Sequence, residues 1–133
     1  MLATLTIRDE TTFGFDKNPY VFTLDLEAER VTARELVRER VRREVEDYNA
    51  RQPEFFRGLV QPSDAERTLN GFRLRRERPL DWEEQFELAL EAFRRNGFIL
   101  LLDDRQVEDL DQVIEIGPRT SVTFLKLVPL VGG

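Results

Sequence analysis

One stretch constrains this chain more than any other: an apolar strand that runs into two glycines. Residues Pro118 to Gly133 read PRTSVTFLKLVPLVGG. Thr120 to Leu127 alternates as a strand does, with Val122 and Phe124 on one face and Leu125 and Leu127 on the other. Beyond it, Pro129 has no N–H for a ladder, and Gly132 and Gly133 have no side chain to pack. The final residues are therefore predicted to leave the sheet and enter solvent, so that a well-ordered strand presents a bare carboxylate.

Composition limits what that carboxylate is attached to. The chain has 133 residues, 41% of them hydrophobic and 35% charged, which predicts a single domain over 1–133 with a real core and a solvated surface. No apolar run reaches the length of a membrane span, and MLATLTIRDE lacks the basic flank and apolar stretch of a secretory signal, so no membrane partner is expected and the location is read as cytoplasmic. Cysteine and histidine are absent, which removes thiol nucleophiles, disulfides, imidazole bases and the commonest zinc ligands. A net charge of −6 argues against a nucleic-acid partner, because a phosphate backbone selects for a basic surface. Only Lys17 and Lys126 are lysines; every other basic residue is an arginine. Codon bias and the avoidance of acceptor amines explain that skew equally well.

Ala3 to Arg8 and Tyr20 to Leu26 alternate at period two, placing Ala3, Leu5 and Ile7 on one face and Phe22, Leu24 and Leu26 on another. Gly14 and Asn18-Pro19 lie between them as turn formers, which predicts an opening hairpin with a long loop. Thr32 and Glu35 have the spacing of a capping box, and Val31 and Leu36 that of a hydrophobic staple. A helix over about 33–49 follows, with Val37, Val41, Val45 and Tyr48 on the side that lies on the hairpin and Arg38, Arg42, Arg43, Glu46 and Asp47 outside.

Residues 50–80 contain Pro53, Pro62 and Pro79, yet also Phe55, Phe56, Leu59, Val60, Leu69, Phe72 and Leu74, which is too apolar for a linker. Asn70-Gly71 signals a hairpin turn between very short arms, and the run Arg73 to Arg78 (RLRRER) fits a solvated arm better than an anion site. Asp81 reads as the N-cap of a second helix whose stripe Trp82, Phe86, Ala89, Leu90 and Phe93 is a packing face, with Gly97 at the position after its end. Phe98 to Leu102 (FILLL) reads as a strand buried on both faces, Asp103-Asp104 as a turn, and Gln106-Val107 as a brief strand. The acidic residues Asp103, Asp104, Glu108, Asp109 and Asp111 lack the central glycine and terminal glutamate of a calcium loop, so neither a metal nor a cofactor is expected.

The order is thus hairpin, helix, inserted segment with a second helix, strand, short strand, last strand and diglycine. A right-handed crossover brings the last strand beside the first in a mixed sheet covered by the helix. This α+β arrangement resembles the β-grasp of ubiquitin-like proteins. The match is clearest over Phe98 to Gly133, FILLLDDRQVEDLDQVIEIGPRTSVTFLKLVPLVGG, which is similar to the second half of a ubiquitin-like domain; residues 1–49 follow its pattern, and about 50–97 is an insertion between first helix and third strand. The ending PLVGG also resembles the tails of the sulfur carriers of molybdopterin and thiamine synthesis.

What the resemblance implies is a bacterial-type protein modifier that is itself no enzyme. An E1-like adenylating enzyme would activate the Gly133 carboxylate with ATP and pass it to a thiol or amine acceptor, with an E2-like conjugating enzyme and a JAB-type deconjugating peptidase as further partners. Gly132 would act as the steric permit for threading the tail into the active site. Because the sequence stops at Gly133, no peptidase would be needed to expose it. Leu125, Leu127, Val128 and Leu130 would form the partner-docking patch, from whose apolar pattern Lys126 departs. Two alternatives stand beside this reading: a sulfur carrier bearing a C-terminal thiocarboxylate, and a non-covalent β-grasp interaction module that binds through its insertion. Glu83, Glu84 and Glu87 have no companion base or metal ligand and read as a charged helix face rather than an active site.

Overall fold

The alternating segments at the two ends of the sequence meet in one sheet. The computed structural model describes residues 3–11 and 20–127; the expected hairpin loop with Gly14, Lys17 and Asn18-Pro19, and the tail from Val128 onward, lie outside them. Along the chain run β1 (Ala3–Thr11), β2 (Tyr20–Leu26), β3 (Arg30–Thr32), α1 (Ala33–Arg51), β4 (Ala65–Thr68), β5 (Gly71–Leu74), α2 (Trp82–Arg94), β6 (Phe98–Leu102), β7 (Arg105–Val107), β8 (Val113–Glu115) and β9 (Ser121–Lys126). The fold is α+β. Its five-stranded mixed sheet has the order β2-β1-β9-β6-β7, with β1 and β9 parallel at its centre and the other neighbours antiparallel. The described residues divide into two compact units, one taking the chain up to Leu36 and again from Phe93, the other Val37–Ala92.

In the first unit, register places apolar residues against one another on a single face. Leu5 faces Leu24, Ile7 faces Val122, and Leu100 faces both Phe124 and Val107; all of these are buried. The Phe98 ring packs tilted against Phe124, centroids 5.8 Å apart, and meets the Phe93 ring edge-on at 5.9 Å. Burying each such ring contributes about 2–3 kcal/mol. The strand Phe98–Leu102 is not buried on both sides, as its continuous apolar run suggested: Phe98 and Leu100 are buried, whereas Ile99, Leu101 and Leu102 are half-covered. Asp103 and Asp104 have φ of 46° and 72°, the left-handed pair that a two-residue hairpin between β6 and β7 requires.

The start of α1 is built as its sequence specifies. The Glu35 amide donates to Thr32 Oγ1 at 3.1 Å, and the Thr32 amide donates to Glu35 Oε2 at 3.0 Å. Val31 and Leu36 are both buried. The next two orphan amides of the first turn, on Ala33 and Arg34, donate to the carbonyls of Gln112 and Leu110 at 2.9 and 2.8 Å. That docking accompanies a pairing the alternation did not reveal, β3 with β8, which sets Val31 against Ile114. Three-residue strands are too short for a period to register.

The second unit contains the remaining turns of α1, a two-stranded sheet and most of α2. The β4–β5 hairpin is present, but its two-residue loop is Leu69-Asn70, one position earlier than the Asn70-Gly71 signal suggested. Gly71 instead opens β5 with φ 127°, and a Cβ there would lie 2.9 Å from the Phe56 carbonyl oxygen. Several polar side chains are its tie points. Arg40, 1% exposed, donates from Nε to Glu44 Oε1 at 2.6 Å, and Glu44 Oε2 accepts the Leu59 amide at 3.1 Å. Asn49 exchanges two hydrogen bonds with the Leu80 main chain, at 2.9 and 2.8 Å. Gln85 is buried and donates to the Val60 carbonyl at 3.4 Å. Asp81 caps α2 as expected, accepting from the Glu83 amide at 3.0 Å. At the other end of α2 the left-handed residue is Asn96, φ 57°, and not the expected Gly97.

Candidate functional site

Of the residues singled out for tail chemistry and docking, Leu125 and Leu127 are described. Val128, Leu130, Gly132 and Gly133 lie outside the described residues. Both leucines are half-exposed, and Leu125 sits on the sheet face opposite Val122 and Phe124. Its ladder partners are Ile99 on β6 and Glu10 on β1, and one step along, Thr123 faces Leu101 and Arg8. Cross-strand partners share a face, so Leu125, Ile99 and Leu101 form a half-exposed apolar strip on the outer side of the sheet. Arg8 and Glu10 border it, 3.8 Å apart.

Sequence reasoning missed Ile99 and Leu101 because it counted the whole FILLL run as core. They emerge from the pairing of β6 with β9, which sets them on the face of Leu125. Lys126 does not interrupt the strip. It shares the face of Phe124, where its Nζ lies 3.7 Å from Asp9 Oδ2, and Asp9 is 8% exposed. The strand therefore ends in an apolar outer edge and a paired charge inside. Leu127 continues one step further, its amide donating to the Gly97 carbonyl at 3.1 Å.

A concave feature adjoins β6. A cavity of about 650 Å³ is lined by Phe93 and Arg94 from the end of α2, by Phe98, by Val107 at the end of β7, and by Glu108 and Leu110 from the segment that follows. Arg34 also reaches it but is tied to Asp111 at 3.5 Å. Among the described residues, no group of three or more acidic side chains is placed to hold a metal ion.

The acidic trio weighed as an enzymatic alternative, Glu83, Glu84 and Glu87, is exposed at the start of α2, and Glu84 accepts a hydrogen bond from the Ser63 hydroxyl at 3.1 Å. Among the described residues the trio meets no base that would make it an acid–base pair. No family model, curated protein or solved structure matches the chain.

Proposed function

We propose that this chain has a β-grasp fold and acts as a ubiquitin-like modifier whose Gly133 carboxylate is activated by an adenylating enzyme and transferred to a thiol or amine acceptor. The observation that carries the reading is the position of β9. It lies at the centre of the sheet, parallel to β1 and antiparallel to β6, and leads directly into Leu127 and the sequence VPLVGG. A strand flanked on both sides is a rigid base from which a tail can be threaded into another protein's active site, and the strand order is the one that a β-grasp requires. In this reading α1 is the helix of that fold, Gly132 and Gly133 form the reactive end, and the outer strip with Leu125 and Leu127 guides the activating enzyme, extended by Val128 and Leu130. An apolar strip bordered by charge suits such an interface. Conjugating and deconjugating enzymes would act on the same tail.

The test is mass spectrometry of the tagged full chain recovered from its own cells, beside a variant lacking Gly133. Trypsin cleaves after Lys126, so an acceptor side chain would carry the remnant LVPLVGG. That remnant, absent with the deletion variant, is the expected result. Replacement of oxygen by sulfur at the Gly133 carboxylate would instead make the chain a sulfur carrier. A free carboxylate alone, with every partner kept by the deletion variant, would leave a non-covalent module and overturn the proposal.

A further inference from the structure

A chain whose tail is transferred to amines is itself a possible acceptor, and this one carries few amines. A guanidinium keeps its proton in any ordinary solution and is no nucleophile, so arginine does not count. Of the 20 basic residues all but two are arginines, and the side-chain amines are those of Lys17 and Lys126. Lys17 lies outside the described residues, whereas Lys126 is placed by the sheet.

Lys126 is on β9, which has β1 and β6 on its two sides, and its ladder partners are Thr11 and Phe98. Asp9 opposes Phe124, two positions earlier on β9, so its carboxylate lies diagonally across the same face and Lys126 Nζ meets it at 3.7 Å. The lysine side chain is 27% exposed and that of the aspartate 9%. To accept an acyl group the amine must lose a proton, turn its lone pair to the donor and then carry the group as an amide. Deprotonation and acylation both take the positive charge away from Asp9 and leave a largely covered carboxylate without this cation. The main chain of β9, held in a ladder on each side, cannot swing outward to deliver the amine. We propose that Lys126 is closed to acyl transfer and that Lys17 is the chain's one side-chain acceptor, for small acyl donors and for the activated tail of a second copy alike. In the second case Lys17 Nζ attacks the Gly133 carbonyl of the other copy. The isopeptide bond forms as the bond to the adenylate or carrier thiol breaks, and the proton of the amine passes to solvent. That case rests on the modifier reading; the closure of Lys126 rests on the sheet alone.

The experiment treats the folded full chain with a limiting amount of the N-hydroxysuccinimide ester of acetic acid and reads acetylation at each lysine by mass spectrometry, after digestion at glutamates. Lys17 is expected to react about tenfold faster than Lys126 in the folded chain, and the two at similar rates in concentrated urea. Asp9→Asn is expected to close most of that gap. Should that variant fail to fold, Lys17→Arg reads the same point, since the folded variant is expected to take almost no side-chain acetyl. Equal rates at the two lysines of the folded chain would overturn the proposal, as would ready acetylation of Lys126 in Lys17→Arg. Among copies of the chain recovered from its own cells, the remnant LVPLVGG is expected on Lys17. Its presence on Lys126 would sink the proposal and leave the modifier reading standing. Its absence from every protein, with the difference in acetylation rates kept, would sink the modifier reading and leave Lys126 closed.

Discussion

The two units are held together by different means. In the first, apolar side chains alternate along long strands and interlock across a ladder, so that Leu5, Ile7, Leu100, Val122 and Phe124 need only be hydrophobic and in register. In the second, Arg40, Glu44, Asn49 and Gln85 join segments that no regular ladder connects. Periodic structure satisfies its own main chain. Irregular structure must borrow polar side chains to do so, as Glu44 does for Leu59 and Asn49 for Leu80. The first kind of order rests on a ladder and its buried faces; the second also buries apolar side chains, Val41, Val45, Phe56 and Leu90 among them, and adds a few polar bonds where the main chain has no ladder.

The contrast can be broken by substitution, with urea denaturation as the measurement. Phe124→Ala removes a fully buried ring from the middle of the sheet and is expected to destabilise by about 4 kcal/mol, through lost burial and the cavity left behind. Arg40→Met is expected to cost about 3 kcal/mol, because it leaves the Glu44 carboxylate largely covered without its cation. Adding Glu44→Gln should recover a good part of that loss, since a glutamine oxygen can still accept the Leu59 amide while carrying no charge. If Arg40→Met proves neutral, the second unit rests on its apolar contacts and the distinction fails. Thr32→Ala lies in the first unit but removes a polar tie, half of the capping box, and should cost about 1 kcal/mol. A loss as large as that of Phe124→Ala would show that caps, too, can dominate a ladder-built unit.

The same distinction explains what was legible in the sequence. Strands β1, β2 and β9 were readable because period two survives over six or more residues, and both helix starts were readable because capping residues act locally. The pairing of β3 with β8 was not, since three residues carry no period and their partner lies far along the chain. Arg40 was hidden for another reason. It sits in sequence beside Arg38 and Arg42, yet it is turned inward onto Glu44 four residues on, which also accepts the Leu59 amide. At the outer strip, Leu125 and Leu127 were found from alternation, whereas Ile99 and Leu101 came only from the sheet order. The exchange of Gly97 for Asn96 as the left-handed residue has a simple cause, because asparagine tolerates that conformation better than any other residue with a side chain.

The parallel contact of β1 with β9 has a consequence for how the molecule is made. Ile7 rests against Val122, and the entire Val37–Ala92 unit is synthesised between them. Until β9 is available, β1 exposes one complete row of hydrogen-bonding groups next to Leu5 and Ile7, the kind of edge on which nascent chains associate. Joining strands so distant in sequence is also slow, since a large loop must close before the contact repays it. The pairing at the centre of the sheet is therefore expected to form last, with β1 the edge that needs protection in the interval.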